Sequence, residues 1–321
     1  MRISASVSSI PHQELGNTVK QLDVAGIDAY HLDSVESTEI FSFSTLLRDL
    51  TTKPHDLHLI TSDPDKYWDQ IRKSGIEAIT LQLENLHSPL FIPDDLKGKV
   101  GLAVLASTSL SSFAVYRKNV SWLLIMMTTP GYSGGKFDPQ LFANIIRYRE
   151  AYPEIPVYID GGVTHEVAFV LRMIGIEQIV SGSYLFSGTG ISDSVEKLKS
   201  YPDCPWNVKD IMAKGTDFFT VPRQSFGVIA QTYFIDSHGS VIDISRDRQW
   251  IEALEQITAF SEVNGKALFV HEDLSLKQLN EILPELDFSA KYFFAVDDQH
   301  KVTGSLFFQT QPLPVTGSLS A

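Results

Sequence analysis

Short runs of apolar residues recur from the first residues onward: Ile3 to Val7, Ala29 to Val35, Leu57 to Thr61, Ala78 to Glu84, Val100 to Ala106, Trp122 to Thr128, Val157 to Val163 and Ile179 to Phe186. Between most of them the apolar positions change to a helical spacing, as in Leu15, Val19 and Leu22, or Leu141, Ile145 and Ile146. Runs of this kind suit strands buried on both faces, and the spacing between them suits amphipathic helices. Asp63-Pro64, Asp138-Pro139 and Thr164 supply helix-start signals, two of them with proline at the first helical position. Eight strands with interleaved helices predict an α/β chain folded as a (β/α)8 TIM barrel. A weak repeat agrees. Gly26-Ile27, Gly75-Ile76 and Gly175-Ile176 each fall where a helix should end and a strand begin, with glycine suited to the left-handed cap. The fourth crossover departs from the pattern, because Asn85 to Lys99, with Pro89 and Pro93, reads as a loop with a short helix.

After a last helix at Val195 to Ser200 the rhythm stops. Pro202 and Pro205 flank Cys204 and mark a boundary, so the barrel is assigned residues 1–201, a smaller C-terminal α+β domain 206–310, and a disordered tail 311–321. Within the second domain Phe226 to Ile235 and Ser240 to Ile244 read as a hairpin around Asp236-Ser-His-Gly239. A helix from about Asp247 to Phe260, a strand at Ala267 to Val270, a helix at Leu274 to Leu283 and a hairpin turning at Asp297 to His300 follow.

The composition is that of a globular protein able to bury a large core, with 43% hydrophobic and 20% charged residues in 321. A net charge of -13 argues against non-specific affinity for nucleic acid or an anionic membrane. A phosphorylated substrate therefore needs a locally favourable site. One cysteine, no apolar leader after Met1 and no apolar run of membrane-spanning length lead us to expect a cytoplasmic protein.

The candidate chemistry lies at the strand ends. His31 and Asp33 alternate along one strand and so leave the same face, His58 follows in the next strand, and Asp160 ends the seventh. Any one of these alone is most simply a satisfied polar group or a cap. Together they offer two imidazoles and two carboxylates at the barrel mouth where active sites gather, a donor set for one divalent ion. Glycine-rich turns follow the last three strands: Thr129-Pro-Gly131-Tyr132-Ser133-Gly134-Gly135, Asp160-Gly161-Gly162 and Ser181-Gly182-Ser183. Singly they are tight turns. In this order they suit a phosphate held by backbone N–H groups.

From residue 1 to about 190 the sequence resembles the ribulose-phosphate 3-epimerase family, through Ile3-Ser-Ala-Ser6, His31-Leu-Asp33, Leu57-His58-Leu59, Thr129-Pro-Gly-Tyr-Ser-Gly134, Asp160-Gly-Gly162 and Gly182-Ser183. The resemblance implies an isomerase of carbohydrate metabolism that inverts the carbon beside the carbonyl of a small phosphorylated sugar. It implies His31, Asp33, His58 and Asp160 as ligands of one divalent metal, zinc foremost, with iron, manganese or cobalt as alternatives. It implies Asp33 and Asp160 as the catalytic acid/base pair. Ser6, His58, Met126, Gly131, Tyr132, Ser133, Gly134, Gly161, Gly162, Gly182 and Ser183 would meet the substrate. A homo-oligomer is compatible with this reading.

Three departures stand out: Val35 to Phe41 replaces the family's loop over the substrate, Gln82 replaces a histidine, and of the methionines that cap the site only Met126 is kept. A catalytically lapsed barrel that binds a sugar phosphate and reports it through a regulatory C-terminal domain is therefore the second reading. Val208 to Met212 and Phe293 to Asp297, with Val302 to Ser305, faintly resemble pieces of a CBS-domain pair. The hydroxyl and Asp pattern of nucleotide-binding modules is lacking there, which favours a packing or dimerisation role.

Overall fold

A computed structural model describes residues 1–87, 89–132, 134–200, 204–214, 232–243, 266–286, 290–299 and 301–306. Strands β1 (Arg2–Ser6), β2 (Ala29–Val35), β3 (His55–Ile60), β4 (Ala78–Gln82), β5 (Val100–Leu105), β6 (Leu123–Met126), β7 (Val157–Asp160) and β8 (Gln178–Ser181) form a closed barrel in chain order, with β8 pairing back onto β1. Neighbouring strands are parallel throughout, so each needs a crossover to return the chain to the same end. Helices supply most of these: α1 (His12–Ala25), α2 (Glu39–Arg48), α3 (Trp68–Ser74), α4 (Leu110–Ala114), α5 (Phe142–Ala151) and α6 (His165–Ile174). The fourth crossover holds only 3-10 turns, at Leu83–Asn85 and Asp94–Leu96. Leu15, Val19 and Leu22 are the buried positions of α1, and Gly26, Gly75 and Gly175 all have positive φ.

From β4 to β8 the strands are shorter than the apolar runs, because a run continues beyond the last ladder hydrogen bond. In the eighth, the chain turns at Gly182 into α7 (Ser183–Ser187), so Leu185 is buried from a helix and not from a strand. Helix α8 (Ile191–Lys199) follows. Of the three helix-start signals, Asp63 makes no side-chain cap bond and precedes a 3-10 turn. Thr164 accepts a long 3.5 Å bond from Val167 N.

Alternation along each strand sends Ile3, Ala5, Tyr30, Leu32, Leu57 and Leu59 outward, and the residues between them into the lumen. The lumen is asymmetric. Ala103, Leu124, Met126 and Val180 pack as an apolar cluster, while β1, β2, β3 and β8 contribute Ser4, His31, Asp56, His58 and Gln178, all buried. The floor is filled by Trp122, whose indole lies directly over Gly101 and donates to Thr80 Oγ1 at 2.9 Å. Its other neighbour, Tyr158, stacks at 5.9 Å.

The C-terminal sheet has six described strands in the order β11-β10-β12-β13-β14-β9: β9 (Ala213–Lys214), β10 (Thr232–Ile235), β11 (Val241–Asp243), β12 (Lys266–His271), β13 (Ala290–Val296) and β14 (Val302–Leu306). β10, β12 and β13 run parallel, whereas β10–β11 and β13–β14 are the two expected hairpins. Asp236 folds the first turn by accepting from His238 N and Ser240 N, both at 2.8 Å. Helix α9 (Val208–Ile211) starts with a capping box formed by Asn207 and Asp210, and α10 (Leu276–Ile282) is capped by Ser275. The helix expected from Asp247 to Phe260, the start of the first hairpin at 226–231, His300 of the second turn and the tail 311–321 lie outside the described residues.

Candidate active site

β2 and β3 pair in a register that sets His31 opposite Asp56 and, one rung higher, Asp33 opposite His58. Asp160, at the end of β7, completes the upper level beside Met126 of β6. One ligand atom from each of His31, Asp33, His58 and Asp160 falls within 4.8 Å of the other three. Asp33 Oδ1 is 3.3 Å from both His31 Nε2 and His58 Nδ1, and Asp160 Oδ2 is 3.9 Å from His31 Nε2. Ser6 Oγ donates to Asp33 Oδ2 at 3.5 Å, and the Asp33 amide donates to Ser8 Oγ at 2.8 Å.

The outer partners of the two histidines differ. His31 Nδ1 is bonded to Asp56, which also accepts from Ser4 Oγ at 2.7 Å and Gln178 Nε2 at 3.0 Å. His58 Nε2 meets Gln82 Oε1 at 2.9 Å. Gln82 in turn donates to Glu84 at 2.5 Å, and Glu84 also accepts from Leu105 N at 2.9 Å. The two rings therefore turn opposite nitrogens, Nε2 of His31 and Nδ1 of His58, toward the same space.

Burial by itself would pull the His31 pKa down, but the Asp56 and Asp33 carboxylates outweigh it and hold the ring well above its usual value. Asp33 is opposite in sense: burial would raise it, yet His31 and then His58 hold it well below the usual carboxylate range. Burial pushes Asp160 up to about 6, with the nearby Asp33 charge adding to the effect.

The donor set fits a divalent cation. His31 Nε2 is buried and, among the described residues, has no hydrogen-bond partner. With Nδ1 bonded to Asp56, a neutral His31 would aim its Nε2 lone pair at two carboxylates, a repulsive arrangement that a cation converts into coordination. Two imidazole nitrogens with two carboxylate oxygens suit zinc or a similar first-row metal.

Above the cluster lies a cavity of about 430 Å³. Of the residues expected to meet the substrate, Ser6, Met126, Gly131, Tyr132, Gly134, Gly161, Gly162, Gly182 and Ser183 line it, together with Asp33 and Asp160. His31 and His58 lie buried, outside the lining. Ser133 is outside the described residues. Gly135, part of the glycine-rich turn after β6, lines the cavity as well, whereas Ser8, Thr128, Thr164 and Tyr184 also line it and nothing in the sequence pattern had singled them out as site residues. Among the described lining residues none is Lys or Arg, so an anion there would rely on backbone N–H groups and hydroxyls. Close approach fixes two of the glycines. A Cβ on Gly161 (φ 108°) would fall 2.3 Å from Thr128 Oγ1, and one on Gly162 (φ 65°) 2.5 Å from Phe137 N.

Fold and site together define a parallel β/α barrel with a metal-competent two-histidine, two-aspartate cluster at the C-terminal mouth. The Ribulose-phosphate 3 epimerase family model matches residues 2–186. The chain belongs to that family, and it is an isomerase. It is 25% identical over 213 residues to a ribulose-phosphate 3-epimerase of Synechocystis sp., covering 62% of this chain and 93% of that protein. It is 28% identical over 200 residues to the Aquifex aeolicus ribulose-phosphate 3-epimerase, covering 58% of this chain and 90% of that protein. Among solved structures, phosphoribosyl anthranilate isomerase from Thermus thermophilus aligns over 62% of this chain and 96% of its own, with 11% identity and a TM-score of 0.45. Among the described residues no helix is long and apolar enough to cross a membrane.

Proposed function

We propose that the barrel epimerises a ketose phosphate at the carbon next to the carbonyl, in the manner of a ribulose-phosphate 3-epimerase. The observation that carries this reading is the pairing of two carboxylates, Asp33 and Asp160, with two inward-turned imidazoles at one point of the mouth. Inverting a carbinol carbon needs a base on one face and an acid on the other, linked through an enediolate. Asp33 and Asp160, on strands β2 and β7, are the two groups, and each exchanges roles with the other when the opposite epimer binds. Ser6, hydrogen-bonded to Asp33, meets a substrate hydroxyl, and the turns after β6, β7 and β8 hold the phosphate. His31, Asp33, His58 and Asp160 hold one divalent metal, which when bound polarises the carbonyl and stabilises the developing oxyanion. The compartment is cytoplasmic, no nucleic acid or membrane takes part, and the C-terminal sheet domain serves packing or self-association.

Metal analysis of the purified protein, followed by solvent-deuterium exchange into ketopentose and ketohexose phosphates, tests the reading. Bound divalent metal and exchange at the carbon beside the carbonyl support it. One observation favours the lapsed-barrel reading: of residues 35–41, only Val35 lines the 430 Å³ cavity. Phosphate-dependent binding without exchange would select that alternative.

A further inference from the structure

His31 and Asp56 face each other across β2 and β3 on the rung below the Asp33–His58 pair. Both lie in the lumen, with Asp56 at 9% exposure and His31 at 1%. Three donors converge on Asp56: the Nδ1 side of His31, Ser4 Oγ from β1 and Gln178 Nε2 from β8. A group that accepts from three directions and donates to none is a carboxylate, and its own place is fixed from two other strands. Its bond to Nδ1 dictates the tautomer of the neutral, ligating ring, which then has its lone pair on Nε2. Nε2 of His31 is also a buried atom without a hydrogen-bond partner among the described residues. The oxygen that receives His31 is thus the far end of a brace running from β1 and β8, under the ring and up to the metal level.

Resting on the metal-binding reading above, we propose that Asp56 is a positioning residue for the metal. It orients His31, fixes its tautomer and raises the donor strength of Nε2, with Ser4 and Gln178 holding Asp56 in turn. The partner of His58, by contrast, is the neutral Gln82 amide, so only His31 has a carboxylate behind it. Carboxylate support of a ligating imidazole has a known scale: losing it weakens metal affinity about 10- to 100-fold.

The experiment measures zinc and cobalt affinity of the full chain by chelator competition, in the wild type, in Asp56→Asn and in Gln178→Met. Gln178→Met keeps the carboxylate but removes one of its supports. The cobalt spectrum and the melting temperature of the metal-free protein are recorded alongside. We expect Asp56→Asn to bind metal about 10- to 100-fold more weakly with an altered cobalt spectrum, and Gln178→Met to fall between it and the wild type. A purely structural Asp56 would lower the metal-free melting temperature and leave the affinity of the folded fraction unchanged, overturning the proposal. A cycle against His31→Gln adds a second check, since in that background Asp56→Asn should cost no further affinity. Equal losses in both backgrounds would show that Asp56 does not act through His31. If the wild type itself binds no divalent ion, the metal-binding reading falls and this inference with it. Wild-type binding with an unaffected Asp56→Asn variant overturns this inference alone.

Discussion

Thr128, just beyond β6, is wedged between two glycines of different loops, and the two contacts fail in different ways when a methyl group is added. On Gly135 a Cβ would lie 2.4 Å from Thr128 Cγ2 and 2.8 Å from its Cβ. On Gly161 it would lie 2.3 Å from Oγ1 and 2.9 Å from the Thr128 backbone nitrogen, at a φ of 108° that side chains rarely adopt. Gly135→Ala is a packing collision worth about 1–3 kcal/mol. Gly161→Ala adds the backbone penalty of about 1–2 kcal/mol to a similar collision, for a total of roughly 2–5 kcal/mol. Thr128→Ser removes Cγ2 but keeps the hydroxyl, so it should recover a large part of the Gly135→Ala loss and almost none of the Gly161→Ala loss. Urea unfolding of the metal-free single and double variants gives both coupling energies. Because Gly161 directly follows Asp160, whose carbonyl accepts from Met127 N at 2.7 Å, displacement at Gly161 should also move the carboxylate proposed above as one of the acid/base pair. Deuterium exchange should fall about 100-fold in Gly161→Ala. Equal coupling in the two cycles, or a neutral Gly135→Ala, would refute the slot geometry.

Three further outcomes follow from the same structure. Asp33→Asn and Asp160→Asn should each lower solvent-deuterium exchange by about 10²- to 10⁴-fold, measured by mass spectrometry with ketose phosphate at saturation. Burial, then the charge of Arg48, lowers His55 from 6.5 to about 4, and the neutral ring is engaged with Ser44 at 2.9 Å. The unfolded chain therefore takes up the proton first. This contribution to stability is complete above pH 6.5 and is lost as the pH falls toward 4, by roughly 2–3 kcal/mol; urea midpoints should show the slope in the wild type and lose it in His55→Gln. A Cβ on Gly101 would lie 2.1 Å from Trp122 Nε1. Gly101→Ala should thus push the indole off Thr80, cost about 3 kcal/mol and red-shift the Trp122 emission, whereas unchanged emission and stability would contradict the floor packing.

The barrel was legible because parallel strands buried on both faces leave unmistakable apolar runs, and because Gly26, Gly75 and Gly175 mark the helix ends. The His31 and Asp33 pair was legible for a simpler reason: alternation alone puts them on one face. The same alternation in His55-Asp56-Leu57-His58 places Asp56 beside His58 in the lumen, a signal present but unused, since only the register with β2 shows which histidine Asp56 serves. Gln82 and Glu84 were visible as residues but not as a chain of hydrogen bonds, because that chain begins at His58 on β3 and is anchored from β5 at Leu105 N. Strand ends were overestimated where apolar residues such as Leu185 belong to the next helix. The division of labour among the cavity-lining hydroxyls depends on how distant loops meet, which no local pattern encodes.

Closure of the barrel rests on residues from opposite ends of its sequence, with Arg2 opposite Gln178 and Ser4 opposite Val180. During synthesis β1 consequently waits for its second neighbour until nearly all of the first 181 residues have emerged, and until then both flanks of the growing sheet carry unpaired backbone groups. The same long-range pairing makes formation of the native ring slow relative to helix growth. A nascent chain arrested before β8 would offer its open flanks to another such chain, making the interval before that strand appears the period of greatest vulnerability to misassembly.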